Sequence, residues 1–204
     1  MYGLYSSCHL GENLALMLTE AGLPFEYIRV KSTEYKELKV RLEEQNIFST
    51  TVPVLEIDGK FFSKTVPTMR YLARKLGKYG GSTDEEWQHL DALADLCNDW
   101  REKYCRLDEL NFPEDHFEKV TAGYLSIFEK TYGVHEGPYI LGEEFTFVDI
   151  LVYRHLCDDH AKTHLDDKPH LKAFLTAIEK RPNLVERVAF TNDEMEQFFA
   201  QAKQ

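Results

Sequence analysis

The chain has 204 residues, of which 43% are hydrophobic and 29% are charged, a composition typical of globular proteins. Its formal net charge is −11, and the excess of acid is confined to the second half. Residues 1–77 hold 10 basic and 9 acidic residues, and the other 14 basic and 26 acidic residues follow them. An acidic surface repels nucleic acid and anionic lipid, so neither a nucleic acid nor a membrane is expected as a partner.

Residues 1–77 alternate between strand-like and helix-like patterns. Leu14, Met17, Leu18 and Ala21 have the spacing of one helix face, and Gly22 stands where a helix end is expected. A strand, a helix and a second strand in this order favour parallel pairing of the two strands. The elements predicted so far are a strand at 2–5, a helix up to Gly22, a strand at 25–30 and a charged, weakly periodic helix at 33–45.

The clearest local pattern is a β-hairpin followed by a helix. Asp58-Gly59 separates two short apolar runs, and this pair favours a two-residue hairpin turn. A helix from about Val66 to Leu76 then begins beside the hydroxyl of Thr65. Together with the preceding elements, the hairpin adds antiparallel strands to a small mixed sheet.

The second half of the chain shows only helical patterns. Residues 78–84 predict a linker, and five helical stretches follow it. Thr146 and Asp149 form a capping box ahead of an apolar run, with Phe145 and Ile150 in the positions of a hydrophobic staple. This pattern concerns helix nucleation rather than chemistry. The helices are predicted at about 84–105, 115–133, 147–159, 169–180 and 193–202.

The cysteines and the first residues of the chain indicate the cellular location and whether a metal site is expected. The four cysteines show neither a CxxC pair nor the spacing of a zinc site, so no metal is expected. The first residues lack a basic segment followed by an apolar block, which is the pattern of a secretory signal. A cytoplasmic location is therefore expected.

In order along the chain, these features resemble the cytosolic glutathione transferases, and most of all the sigma class. The resemblance implies an α/β thioredoxin-like N-terminal domain at 1–77, a linker at 78–84 and an all-α helical C-terminal domain at 85–204. It covers essentially the whole chain. Its anchors are Val52-Pro53-Val54-Leu55, Asp58-Gly59, Lys64-Thr65, Arg70–Ala73, Gly137–Gly142 leading into Thr146–Asp149, residues 90–99 and the tail Leu171–Pro182.

The resemblance implies a glutathione-binding site. Val52, before a cis Pro53, would pair its main chain with the cysteinyl part of glutathione. Thr65 and Lys64 would meet the γ-glutamyl carboxylate at a helix N-terminus, where free N–H groups favour an anion. Lys64 departs from the Gln or Glu that the family usually carries there, and Thr51 stands where Gln is common. The glycyl carboxylate is expected at Tyr35 and Lys39, and Asp95 of a partner subunit is expected to reach the γ-glutamyl amine.

The group that activates the glutathione thiol stays open among four residues. Alignment with the sigma class, with one loop residue missing, makes Tyr5 the catalytic tyrosine. An ungapped count from Glu12 instead places Leu4 there and puts Cys8 where omega-like relatives carry a catalytic cysteine. A cysteine before a helix N-terminus can have a lowered pKa. Ser6 and Ser7 are the remaining candidates.

The implied function is detoxification: conjugation of reduced glutathione to small hydrophobic electrophiles by a homodimer. Glutathione is then a co-substrate, and no tightly bound cofactor is expected. Phe48 is expected near the dimer contact, and an electrophile pocket near Trp100, Tyr104 and Arg106. Two alternatives remain: a thiol-disulfide transferase that depends on Cys8, and a non-catalytic structural or interaction protein that keeps the fold.

Overall fold

The computed structural model describes residues 1–6, 10–105, 107 and 112–191. The chain divides into two compact units, Met1–Lys78 and Tyr79–Gln204. The first is a small α/β unit and the second is helical, so the predicted fold class is confirmed. None of the helices within the described residues is long and apolar enough to cross a bilayer.

The first unit is a four-stranded mixed sheet with three helices. The strands lie in the order β2-β1-β3-β4; β1 and β2 are parallel, and the other neighbours are antiparallel. The parallel pairing of β1 with β2 and the antiparallel hairpin in the same sheet agree with the strand and helix patterns; the strand order comes from the structure. Its elements are β1 (Tyr2–Ser6), α1 (Leu10–Glu20), β2 (Phe25–Arg29), α2 (Ser32–Glu44), β3 (Val54–Ile57), β4 (Lys60–Ser63) and α3 (Thr65–Leu76).

The register of β1 against β3 decides where the side chains of both strands point. Tyr5 pairs with Val54 and Gly3 with Glu56, so these four residues share one face of the sheet. On that face Val54 packs in a cluster with Leu38 and Leu42 of α2 and with Phe61, and Tyr5 packs against the same cluster. Leu4 and Ser6 point to the opposite face, where both are fully buried.

The predicted hairpin turn joins β3 to β4. Asp58 and Gly59 have φ values of +49° and +80°, and a turn that needs positive φ at both central residues favours this pair. The turn is therefore a local property of the sequence, and it fixes the register that brings the end of β4 to the start of α3.

The second unit consists of helices, and its described residues form no strand beyond two isolated bridges. The first four predicted helical stretches are confirmed; the fifth, at 193–202, lies outside the described residues. The helices are α4 (Asp84–Tyr104), α5 (Ala122–Tyr132) preceded by a π-helical turn (Phe117–Thr121), α6 (Phe147–Asp158) and α7 (Pro169–Glu179), with a 3-10 turn (Ala161–His164) and helical residues at 185–191.

The predicted capping box starts α6. The N–H and hydroxyl of Thr146 donate to Asp149 at 2.7 and 2.8 Å, and the N–H of Asp149 points back to the Thr146 hydroxyl. The second oxygen of Asp149 accepts hydrogen bonds from Tyr132 and from the N–H of Ile140. Besides its role in starting the helix, the buried carboxyl therefore connects α6 to α5 and to the loop that precedes α6.

Candidate functional site

The loop before β3 carries the predicted binding edge. The peptide bond between Val52 and Pro53 is cis, as the resemblance implies. Within the described part of the chain, the main chain of Val52 makes no hydrogen bond, and the residue is only half-buried. Its N–H and C=O can therefore pair with an extended peptide.

The N-terminus of α3 lies directly after the hairpin. Thr65 is the first helical residue, and Lys64 occupies the N-cap position with a φ of +70° and no side-chain capping bond. Thr65 is only 8% exposed, yet its hydroxyl has no hydrogen-bond partner among the residues that the structure describes. The first turn holds no acidic residue, so unpaired N–H groups, the helix dipole and a buried hydroxyl all favour an anion at this end.

Lys64 joins the two parts of this site. Its ammonium donates a hydrogen bond of 3.3 Å to the hydroxyl of Thr51, the residue before Val52. Five of the residues predicted from the sequence are thus brought together: Thr51, Val52, Pro53, Lys64 and Thr65.

Tyr35 and Lys39 on α2 do not act as a pair in this structure. The hydroxyl of Tyr35 donates to the carbonyl of Thr50 at 2.6 Å, which attaches α2 to the loop that carries Val52. The ammonium of Lys39 lies 3.8 Å from Glu43 on an exposed helix face. Their binding of a glycyl carboxylate stays a prediction.

The hydroxyl of Tyr5 is already engaged. It donates to Glu56 at 2.7 Å and accepts from Arg41 at 3.0 Å, and Arg41 also reaches both oxygens of Glu56. The guanidinium of Arg41 stacks on Phe61 at 4.7 Å from the ring centre. Burial, and next the hydrogen bond to Glu56, raise the pKa of Tyr5, so the hydroxyl keeps its proton.

The sequence patterns do not predict this cluster of Tyr5, Arg41 and Glu56. The alternation of β3 places Glu56 on the same face as Val54, which is the only sequence signal for it. The sequence does not reveal that Arg41, in the last turn of α2, lies opposite. The contacts do not favour Tyr5 as the thiol activator, and that role stays a prediction.

Ser6 lies at the end of β1 and below the first turn of α1. A Cβ atom added at Gly11 would lie 2.1 Å from the Ser6 hydroxyl oxygen, so the glycine permits this close approach. Ser7 and Cys8, the other two candidates, lie outside the described residues.

The residues predicted for the second unit have different environments. Asp95 is exposed on α4. Trp100 is fully buried and donates to Asp159 at 2.7 Å, and Tyr104 bonds to the Nδ1 atom of His155 at 2.5 Å. These contacts assign Trp100 and Tyr104 to the core of the helical unit. They do not favour the predicted role of these two residues in the wall of an electrophile pocket. Arg106 lies outside the described residues.

The described residues contain no cluster of His, Cys, Asp and Glu side chains that could hold a metal ion. The main chain of Val52 and the N-terminus of α3 together can support the binding of an extended peptide with an anionic end. Such binding combines main-chain pairing with a helix N-terminus.

Comparisons with known proteins point to one family. The family described as glutathione S-transferase, C-terminal domain, matches residues 98–188. The chain is 31% identical over 181 residues to glutathione S-transferase P 10 of Caenorhabditis elegans, covering 85% of this chain and 83% of that protein. It is 30% identical over 183 residues to glutathione S-transferase alpha-2 of Rattus norvegicus, covering 85% and 80%.

Solved structures show the same fold. The Pi-class glutathione S-transferase of Onchocerca volvulus is similar with a TM-score of 0.82 at 22% identity, covering 95% of both chains. The Nu-class enzyme from Haemonchus contortus gives a TM-score of 0.78 at 26% identity, covering 92% of this chain and 95% of that one. These likenesses extend over both units.

Proposed function

The chain belongs to the glutathione S-transferase family of enzymes, and on that premise we propose that it conjugates reduced glutathione to small hydrophobic electrophiles. The observation that carries the proposal is the buried, unpartnered hydroxyl of Thr65 at the N-terminus of α3. A buried polar group without a partner costs free energy, which a ligand that accepts its hydrogen bond would offset.

Glutathione fits the site by its chemistry. Its cysteinyl residue can pair its main chain with the N–H and C=O of Val52, as a short added strand. Its γ-glutamyl carboxylate would then accept hydrogen bonds from the first N–H groups of α3 and from the Thr65 hydroxyl. The two ends of the proposed site would then lie in the loop before β3 and at the N-terminus of α3.

Catalysis requires a group that stabilises the thiolate of glutathione. Lowering a thiol pKa from about 8.5 by about two units needs roughly 2.7 kcal/mol of preferential stabilisation. The Tyr5 hydroxyl would have to leave Glu56 to supply it, since a hydroxyl has a single proton to donate. We propose that the donor is one of the hydroxyls of Tyr5, Ser6 and Ser7. Ser6 would also have to move to reach a ligand, since its side chain is fully buried on the face of the sheet opposite Tyr5.

The test combines glutathione binding by calorimetry with turnover of a generic aromatic halide. We expect the wild-type protein to bind glutathione and to turn over the halide. Among Tyr5→Phe, Ser6→Ala and Ser7→Ala, the variant that removes the donor should lose at least about tenfold in kcat with binding retained, since a tenfold rate is about 1.4 kcal/mol of transition-state stabilisation. Loss of turnover in Tyr5→Phe alone would assign the role to Tyr5 and require its hydroxyl to leave Glu56. Full kcat in all three variants would contradict a hydroxyl donor among these residues.

Two other outcomes would replace the proposal. If Cys8→Ala alone abolishes activity, and Cys8 gains the mass of glutathione on incubation with oxidised glutathione, the protein is a thiol-disulfide transferase. If calorimetry gives no heat and glutathione gives no thermal shift, the protein is a non-catalytic member of the family.

The class within the family, the dimer and the location of the protein are also proposals. The relatives named above carry Pi, Nu and alpha class names, and assignment to the sigma class stays a prediction. The same holds for a homodimer with Phe48 at its contact, for Asp95 serving the ligand of a partner subunit, and for a cytoplasmic location. Phe48 is 75% exposed, which leaves it available for such a contact.

A further inference from the structure

We propose that Lys64 makes the site selective at the amino-terminal end of its ligand, accepting the carboxylate there and disfavouring a neighbouring ammonium group. The inference rests on the proposed function, because it concerns the end of glutathione that α3 would hold. It predicts that thiol peptides with a glutaryl group in place of the γ-glutamyl group are good ligands of this protein.

The position of Lys64 supports this selectivity. The residue adopts a left-handed backbone conformation at the N-cap of α3, and its side chain turns to Thr51 rather than capping the helix. Its ammonium therefore bridges the N-terminus of α3 and the loop that ends at Val52. A ligand that pairs with Val52 and places its carboxylate at Thr65 has its amino-terminal end beside this ammonium.

The charges that α3 itself brings to this end are positive. The helix dipole presents positive partial charge, the first turn of α3 contains no acidic residue, and Lys64 adds a full positive charge. A γ-glutamyl group carries a carboxylate and an ammonium on the same carbon atom. The carboxylate gains from both charges, whereas the ammonium is repelled by Lys64 and finds in its side chain only hydrogen-bond donors.

The size of the effect is limited by solvent. Lys64 is exposed, so water and salt screen its charge. Interactions between exposed charges are modest, and we expect Lys64 to change the preference between the two kinds of ligand by about two- to fivefold. The preference should shrink as the salt concentration rises.

The experiment compares two ligands by calorimetry: S-hexylglutathione and its analogue with a glutaryl group in place of the γ-glutamyl group. Wild-type protein should bind the analogue at least as tightly as S-hexylglutathione. Lys64→Gln and Lys64→Met should each shift the ratio of dissociation constants about two- to fivefold toward S-hexylglutathione. Lys60→Gln, an exposed lysine on β4, is the matched control and should leave the ratio unchanged.

Two results would overturn the inference about Lys64 while leaving the proposed function intact. One is wild-type protein that binds S-hexylglutathione more than tenfold tighter than the analogue, as expected if Asp95 of a partner subunit holds the amine. The other is an unchanged ratio in both Lys64 variants whose thermal unfolding matches the wild type. If neither ligand binds, the proposed function fails together with the inference.

Discussion

At the scale of single residues, Thr65 and Thr68 form a natural pair for comparison. Both are buried in the first turn of α3, but Thr68 donates to the carbonyl of Ser63 at 3.3 Å, whereas the hydroxyl of Thr65 finds no partner within the described part of the chain. Thr65→Val should keep or raise the melting temperature, because no internal hydrogen bond is lost. It should weaken glutathione binding about tenfold, the equivalent of about 1.4 kcal/mol.

Thr68→Val is the control and should behave in the opposite way. It should lower the free energy of unfolding by about 1 kcal/mol and leave glutathione affinity unchanged. Thermal unfolding and calorimetry on both variants check the pair. Equal glutathione affinity in Thr65→Val and wild type would contradict a carboxylate site at this hydroxyl.

The sequence predicts part of the site, because several of the site residues lie close together along the chain. The hairpin turn, the Val52–Pro53 pair and the start of α3 lie within about fifteen residues, so short-range patterns place Thr51, Val52, Lys64 and Thr65 together. The direction of the Tyr5 side chain could not be predicted in this way. It depends on Glu56 and Arg41, which are 51 and 36 residues away in the sequence.

At the scale of elements, Tyr35 links α2 to the binding loop. Its hydroxyl holds the carbonyl of Thr50, two residues before Val52. Tyr35→Phe frees this loop, so we expect the KM for glutathione to rise about three- to tenfold while kcat changes less than twofold, since a hydrogen bond contributes about 0.5–1.5 kcal/mol. Steady-state kinetics with varied glutathione measure both constants.

Tyr71→Phe is the control for this change. Tyr71 is 37% exposed on α3 and stacks on Phe62 through its ring, which phenylalanine keeps. Both kinetic constants should stay at the wild-type values in that variant. An equal fall of kcat in Tyr35→Phe would instead indicate that Tyr35 contributes to the chemical step.

The capping boxes of α4 and α6 allow a second comparison between elements. Asp149 starts α6, is fully buried and accepts hydrogen bonds from Thr146, Tyr132 and Ile140. Asp149→Asn replaces one accepting oxygen by a donor that faces other donors, so the free energy of unfolding should fall by about 2–4 kcal/mol. Chemical denaturation measures the loss.

Glu86 holds the equivalent position in the capping box of α4, but its hydrogen bonds are exposed. Glu86→Gln should therefore cost less than about 1 kcal/mol. Similar losses in the two variants would mean that the extra bonds of Asp149 add nothing to helix capping. The sequence predicts both helix starts, since caps are local, but it does not show that Tyr132 and Ile140 reach Asp149.

At the scale of the whole molecule, the order of strands, turns and helices was enough to predict an α/β unit followed by a helical one. Periodicity and turn residues carry that information because each element forms from neighbouring residues. The interior of the helical unit could not be predicted to the same depth. The sequence gives no sign that Trp100 and Tyr104 turn inward to Asp159 and His155, contacts that join residues 59 and 51 positions apart.

The buried residues of the helical unit also determine how the molecule responds to acid. Burial, and next the charges of Arg101 and Arg154, lower the pKa of His155 from 6.5 to about 3, so the folded protein holds this imidazole neutral. Below pH 6.5 the unfolded chain binds a proton that the folded protein cannot, and stability is lost as the pH falls from 6.5 toward 3. Asp149 acts in the opposite sense, because burial raises its pKa to about 6 and its contribution to stability is lost as the pH rises through that value.

His155→Asn isolates the first of these two effects, since the asparagine oxygen can still accept the hydrogen bond of Tyr104 and Asp149 is unchanged. At pH 7 the wild type should be the more stable protein, because the imidazole fills its buried site between Trp100 and Tyr104. Between pH 7 and pH 5 that advantage should shrink by about 2 kcal/mol, from about 1.4 kcal/mol per unit of pKa difference. Urea unfolding of both proteins at the two pH values measures the change, with His135→Asn, at an exposed position, as the control. An advantage equal at pH 7 and pH 5 would mean that the folded protein accommodates a charged His155.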